Sequence, residues 1–125
     1  VYNKGKTDGQ GTAKLLWAHA GRGDNIQDDQ GTSTSGVKYR DSATATATKA
    51  QTVAIQWTVR NWQATTAYVS YFIGSTETTI SNAEGVHSGT KNVSLASGQT
   101  IKLRCHGQDG TNGVDQHCAA CCIVF

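Results

Sequence analysis

The chain reads as an all-β protein: a single-domain antiparallel β-sandwich of jelly-roll type, preceded by a flexible N-terminal arm. Three observations predict this. Apolar residues recur with a period of two rather than 3.6 over most of the chain. The alternating segments are short, and connections rich in Gly, Asn, Asp and Ser separate them. Finally, 125 residues with 37% hydrophobic content suffice for one core but not for two. Residues 1–11 are Gly-rich and polar and read as the arm, leaving 12–125 as the sandwich domain. Three Trp, four Tyr, two Phe and a net charge of only +2 exclude a disordered chain.

The elements follow in order. Residues 14–19 form a first strand, with Leu15 and Trp17 expected inward. Residues 21–36 (GRGDNIQDDQGTSTSG) show no periodicity and form a long loop, of the kind that is usually functional or mobile. From Ser42 to Lys49, Ala43, Ala45 and Ala47 alternate with Thr44, Thr46 and Thr48. Thr favours the strand, and Ala lets its inner face approach another layer closely. Val53, Ile55, Trp57 and Val59 then alternate with Gln56, Thr58 and Arg60, which is a strand with one apolar and one wet face.

Asn61-Trp62-Gln63-Ala64 suits a hairpin connection to the next strand. There Ala67, Val69, Tyr71 and Ile73 face one way and Tyr68, Ser70 and Phe72 the other. A run apolar on both faces belongs in the middle of a sheet. Val93 and Leu95 alternate with Asn92 and Ser94, and a turn at Ser97-Gly98 follows. Ile101, Leu103 and Cys105 are then inward, with Lys102, Arg104 and His106 outward. Residues 107–116 (GQDGTNGVDQ) form a second loop, and Cys121 to Phe125 a closing strand. That makes seven or eight strands, no helix and no internal repeat.

The spacing L-x-x-G-x-x-I-x-L from Leu95 to Leu103, within residues 67–105, resembles the strand–turn–strand rhythm of extracellular jelly rolls. C1q-like domains and the disulfide-linked subunits of bacterial spore appendages share that rhythm. The resemblance covers under a third of the chain and implies the fold type. Spore-appendage subunits carry key cysteines in an N-terminal connector, whereas the cysteines here lie towards the C-terminus.

No apolar run approaches the roughly 20 residues of a membrane helix, so no transmembrane segment is expected. A net charge of +2 gives nucleic acid no electrostatic hold. A start at Val1 without any Met fits a removed signal peptide. With low charge and four Cys, it points to a secreted, extracellular protein. Asn92-Val93-Ser94 is an N-glycosylation sequon.

The strongest chemical signal is the cysteine cluster. Disulfides are expected among Cys105, Cys118, Cys121 and Cys122, which allow three pairings. Cys105 shares the inward face of Ile101 and Leu103 and should meet a cysteine of the last strand. Vicinal Cys121 and Cys122 cannot both point inward, so one faces outward and bridges locally or to another subunit. A zinc site built on Cys118, Cys121, Cys105 and a histidine is the weaker reading, because Cys105 and His106 point to opposite faces. No metal or cofactor is expected.

Two Asp-rich loops offer calcium ligands, with Asp24, Asp28 and Asp29 in one and Asp109, Asn112 and Asp115 in the other. Neither has EF-hand spacing, and these are also ordinary turn residues. Arg22-Gly23-Asp24 is an integrin-type tripeptide inside the long loop. Trp62 stands out of phase with the core and could stack on a sugar or enter a membrane interface. No nucleophile elbow, HExxH, Walker or dinucleotide motif occurs, so an enzyme is not expected.

The function that fits is a secreted, self-assembling or adhesive structural subunit of a fibre or coat. It would form homo-oligomers or polymers through disulfides and strand exchange. The alternative is a small secreted lectin or membrane-active toxin that takes a glycan, lipid or other cell-surface ligand on Trp62 and the Asp-rich loops.

Overall fold

A computed structural model describes residues 12–20, 37–61, 67–108 and 117–125. These residues hold nine strands and no helix: β1 (Lys14–Ala20), β2 (Val37–Asp41), β3 (Ala45–Thr46), β4 (Gln51–Asn61), β5 (Tyr68–Ile73), β6 (Thr76–Ser81), β7 (Gly85–Leu95), β8 (Thr100–Gln108) and β9 (His117–Val124). The N-terminal arm, the first Asp-rich loop, the Arg22-Gly23-Asp24 tripeptide, Trp62 and residues 109–116 of the second Asp-rich loop lie outside the described residues, whereas Gly107 and Gln108, expected in that loop, end β8.

The strands make two antiparallel sheets. One has the order β1-β9-β4-β7; the other has β2-β8-β5-β6, with β3 added to β8. Their ladders are nested: β1 pairs with β9, β2 with β8, β4 with β7 and β5 with β6. The core lies between the sheets. Leu16, Val53, Ile55, Val59, Val93, Leu95 and Val124 come from the first sheet; Val69, Ile101, Leu103 and Ala45 come from the second. Each points inward because every second residue of a strand faces the same side.

The expected alternation holds in β4 and β8. Val53, Ile55 and Val59 are buried, as are Ile101, Leu103 and Cys105. Trp57 keeps the same phase but is only half-buried. Opposite it, Gly89 leaves room for the indole: a Cβ there would stand 3.2 Å from Trp57 Cζ2. As expected, β5 sits inside its sheet, between β8 and β6. Gly98, at φ 90°, supplies the left-handed residue of the turn into β8.

Three expectations are corrected. In β1 the phase is opposite: Leu16, Ala18 and Ala20 are buried, while Leu15 and Trp17 are 64% and 58% exposed. The run Leu15-Leu16-Trp17-Ala18 is apolar in both phases, so pattern could not choose. The register chooses instead, setting Leu16, Ala18 and Ala20 beside the inward Cys122, Ala120 and Cys118 of β9. Next, β4 and β5 are not the two arms of a hairpin, because they belong to different sheets; residues 62–66 between them lie outside the described residues. Last, the Ala/Thr run is a strand only at Ala45–Thr46. Ser42 breaks it by taking a place in the ladder: its Oγ accepts from Leu103 N at 2.9 Å, and its own N donates to Leu103 O at 2.9 Å.

The last strand begins earlier than the sequence suggests, at His117, and it is anchored by a side chain of β4. Gln51 Nε2 donates to Phe125 O at 2.7 Å, and Gln51 Oε1 accepts from Phe125 N at 2.9 Å. This fixes the register that places Cys118, Ala120 and Cys122 inward and Cys121 outward.

Candidate functional site

On the outer face of the first sheet, the registers align side chains into two rows running across all four strands. One row is Trp17, Cys121, Gln56 and Thr90; the other is His19, Ala119, Thr58 and Ser88. Between them lies a shallow trough of about 560 Å³, floored by small side chains and strand backbone. Trp17 and His19 form its wall at the β1 edge, with rings stacked 5.2 Å apart and 7° from parallel. At the far end, Thr90 Oγ1 donates to Gln56 Oε1 at 2.9 Å. Leu15 and Ile123, paired in register, extend the apolar surface and are 64% and 53% exposed. Neither row, nor the Leu15–Ile123 pair, contains Asp, Glu, Lys or Arg.

The outer face of the second sheet is charged. Arg104 makes a two-pronged ion pair with Asp41, from Nε to Oδ1 at 2.6 Å and from Nη2 to Oδ2 at 2.9 Å. Lys102 Nζ adds a third contact to Asp41 at 3.0 Å. Burial alone would raise the Asp41 carboxyl, but its hydrogen bonds and charge interactions with Arg104 and Lys102 outweigh that and hold it below the usual 3.8. The Arg104 guanidinium also lies over the rings of Tyr39 and Phe72, 3.9 and 4.5 Å from their centroids.

Beside this pair, Glu77 Oε2 accepts from Ser70 Oγ at 2.6 Å and stands 3.3 Å from His106 Nε2. Burial opposes the Glu77 charge, yet the hydrogen bonds of Ser70 and His106 hold its carboxyl below the usual 4.5. For His106, burial dominates and lowers the imidazole below 6.5, against the pull of Glu77. The arrangement is therefore a neutral imidazole donating from Nε2 to a carboxylate. Tyr68 stacks on it at 3.6 Å, and burial raises the Tyr68 phenol above its usual 10. Although Ser, His and Glu meet here, the carboxylate stands between the other two and Ser70 is fully buried. The imidazole is not placed to take the serine proton, and the cluster ties β5, β6 and β8 together.

The sequence-predicted cysteines divide by face. Cys105, Cys118 and Cys122 are buried and Cys121 is exposed. All four are free thiols in the structure. Cys105 on β8 and Cys118 on β9 both face the core, close enough for the Cys118 side chain to act on the Cys105 thiol. That interaction, followed by burial, pushes the Cys105 thiol far up; burial and then the nearby Cys121 push Cys122 up to about 12. Among the described residues no three His, Cys, Asp or Glu side chains are grouped to hold a metal ion. No described helix is long and apolar enough to cross a membrane.

Sequence reasoning missed the outer face of the first sheet because it assigned Trp17 to the core. A usable signal was present: Leu16, Ala18 and Ala20 repeat the small inner-face pattern of Ala45 and Ala47. Glu77 went unread for another reason, since it lies in a polar edge strand with no apolar alternation. No known family model matches the chain, and no curated protein or solved structure matches it.

Proposed function

We propose that this protein is a secreted, non-enzymatic jelly-roll subunit that assembles with copies of itself into an extracellular fibre or coat. The jelly roll is supported by the nesting of the four ladders. With β3 set aside, eight strands fold as one long hairpin whose paired arms divide between two sheets. The observation that carries the assembly reading is the position of Cys121. It is the exposed cysteine of the four, and it lies in register with Trp17 in a row of the first sheet's outer face that holds no Asp, Glu, Lys or Arg. A second copy offers that face both an apolar surface and a thiol to meet Cys121. An isologous contact about a two-fold axis near Cys121 sets the two thiols against each other.

Growth beyond a pair uses strand edges. Among the described residues β7 pairs with β4 alone, and its residues 85–92 are exposed, so it presents unpaired backbone to an incoming strand. The N-terminal residues 1–11 are the segment offered to it. The test is gel electrophoresis of unboiled protein with and without reductant, on the parent chain and on Cys121→Ser. Covalent oligomers that collapse on reduction and are absent from Cys121→Ser support the reading. A single monomer band in every lane sinks it. Deleting residues 1–11 should leave the Cys121-linked pair and abolish longer species.

A second reading is favoured by the trough itself. An exposed indole beside the Gln56 amide and the hydroxyls of Thr58, Ser88 and Thr90 suits a sugar ring, which stacks on one face and hydrogen-bonds at its edges. A glycan array probed with Cys121→Ser, which forms no covalent pairs through that residue, separates the two: binding lost on Trp17→Ala favours the lectin, and a blank array removes it.

A further inference from the structure

We propose that Cys105 and Cys118 form an intrachain disulfide that joins the two sheets across the core, leaving Cys121 as the thiol for contacts between chains. Cys105 stands on β8 in the second sheet and Cys118 on β9 in the first, and both face the gap between them. Each sulfur crosses that gap. Cys118 Sγ lies 3.2 Å from His106 O and 3.4 Å from Tyr68 O, both in the opposite sheet, and His106 is the residue next to Cys105. Cys105 Sγ lies 3.4 Å from Ala18 O on β1, two residues from Ala20, the register partner of Cys118. The Cys118 side chain is also near enough to Cys105 to help raise its thiol.

Sulfurs that reach the opposite backbone place the sheets nearer here than the ~10 Å at which facing sheets ordinarily pack. The neighbours permit it, because Ala18, Ala20 and Ala120 line the first sheet around the pair. A disulfide needs Cβ atoms about 4 Å apart, and two sulfurs that each reach the opposite backbone across a narrowed gap require little movement to reach that geometry.

The chemistry balances with one co-reactant, a low-molecular-weight disulfide such as oxidised glutathione. One thiolate attacks the reagent to form a mixed disulfide and release one reagent thiol. The second protein thiol, after losing its proton, displaces the other reagent thiol. One protein S–S bond forms, two protein thiols are oxidised and one reagent disulfide is reduced to two thiols. Burial within the closed core denies both sulfurs contact with the reagent, so the bond is made as the sheets close and not afterwards.

The proposal is independent of the Cys121 joint and is tested without it, on Cys121→Ser chains refolded with a glutathione redox pair. The product is alkylated with N-ethylmaleimide in denaturant and cut at Arg and before Asp. Arg104, Asp109 and Asp115 flank the two sulfurs, so Cys105 leaves in the peptide 105–108 and Cys118 in 115–125. Mass spectrometry is expected to find these peptides joined in most molecules, with fragmentation placing the bond at Cys118 and the alkyl group on Cys122. Alkylated Cys105 and Cys118, or a bond from Cys105 to Cys122, overturns the proposal. A second measurement covers a misfolding variant: reductant should lower the urea midpoint of the Cys121→Ser chain but leave that of Cys118→Ala/Cys121→Ser unmoved. Equal shifts in both overturn the proposal.

Discussion

Removing the Trp17 indole tests whether the outer face of the first sheet is an interface. Trp17 is 58% exposed. An aromatic side chain can bury 150–250 Å², so on the order of 100 Å² of the indole remains open to solvent. Covering that area is worth about 2.5 kcal/mol at ~25 cal/mol per Å². A two-fold contact covers the indole of both copies, so Trp17→Ala removes about 5 kcal/mol. At about 1.4 kcal/mol per decade, it should weaken self-association by roughly three to four decades. The assay is sedimentation velocity over a concentration series, with Cys121→Ser in both chains so that only non-covalent association is read. The variant itself should fold normally, since Trp17 contributes no core packing; its urea midpoint should match the parent, as expected for an exposed position. An association constant within twofold of the parent, at unchanged stability, refutes the assignment of this face to a partner copy.

Three further outcomes follow from the fold. Ser42→Ala leaves the Leu103 N–H in the core without its acceptor, which should cost about 1–3 kcal/mol in urea unfolding, against a negligible change for exposed Ser97→Ala. Gln51→Ala removes both side-chain bonds to Phe125, so the Phe125 amide should exchange with deuterium faster while Leu103 on β8 keeps its protection. Stability should also fall on acidification, because His106, Glu77 and Asp41 all have folded-state pKa values below their ordinary 6.5, 4.5 and 3.8. The unfolded chain then binds more protons, so their contributions are full above those values and are lost as the pH falls through the folded ones. In a melting series from neutral to acid pH, His106→Gln should flatten the decline that begins below 6.5 and leave the carboxylate part intact.

The sequence made legible the strands whose two faces differ in polarity. Val53, Ile55 and Val59 against Gln56 and Thr58 admit one phase, and so do Ile101, Leu103 and Cys105 against Lys102 and Arg104. Where both phases are apolar, as at Leu15-Leu16-Trp17-Ala18, the choice depends on a partner strand about a hundred residues away. Where both phases are polar, as in β6 and the first half of β7, the strand is made by ladders to β5 and β4 and not by burial, so periodicity is silent. Which sheet a strand joins is equally non-local. Nothing in Asn61 or its neighbours tells that β4 and β5 part company. The site inherited these gaps, for it depends on the phase of β1 and on a four-strand register.

The cysteines show how far strand parity carries once the register is known. Cys118 and Cys121 are three residues apart on β9 and so face opposite sides, which prevents that C-x-x-C from gripping a metal or closing on itself. Cys118 and Cys122 share a face, but four residues of strand separate them by about 13 Å, well beyond bonding reach. Vicinal Cys121 and Cys122 again point apart. No pair within β9 can close, so each thiol depends on what it faces: Cys118 faces Cys105, Cys121 faces solvent, and Cys122 is packed in the core among hydrocarbon. A bond closing a loop of about 15 residues is worth ~3 kcal/mol, a large share of the stability of a small domain. Reductant should therefore do two separable things to the parent chain: lower its unfolding free energy by about that amount, and dissolve its covalent pairs. Cys121→Ser should lose the second response and keep the first. A variant that loses both, or neither, contradicts the division of labour among the thiols.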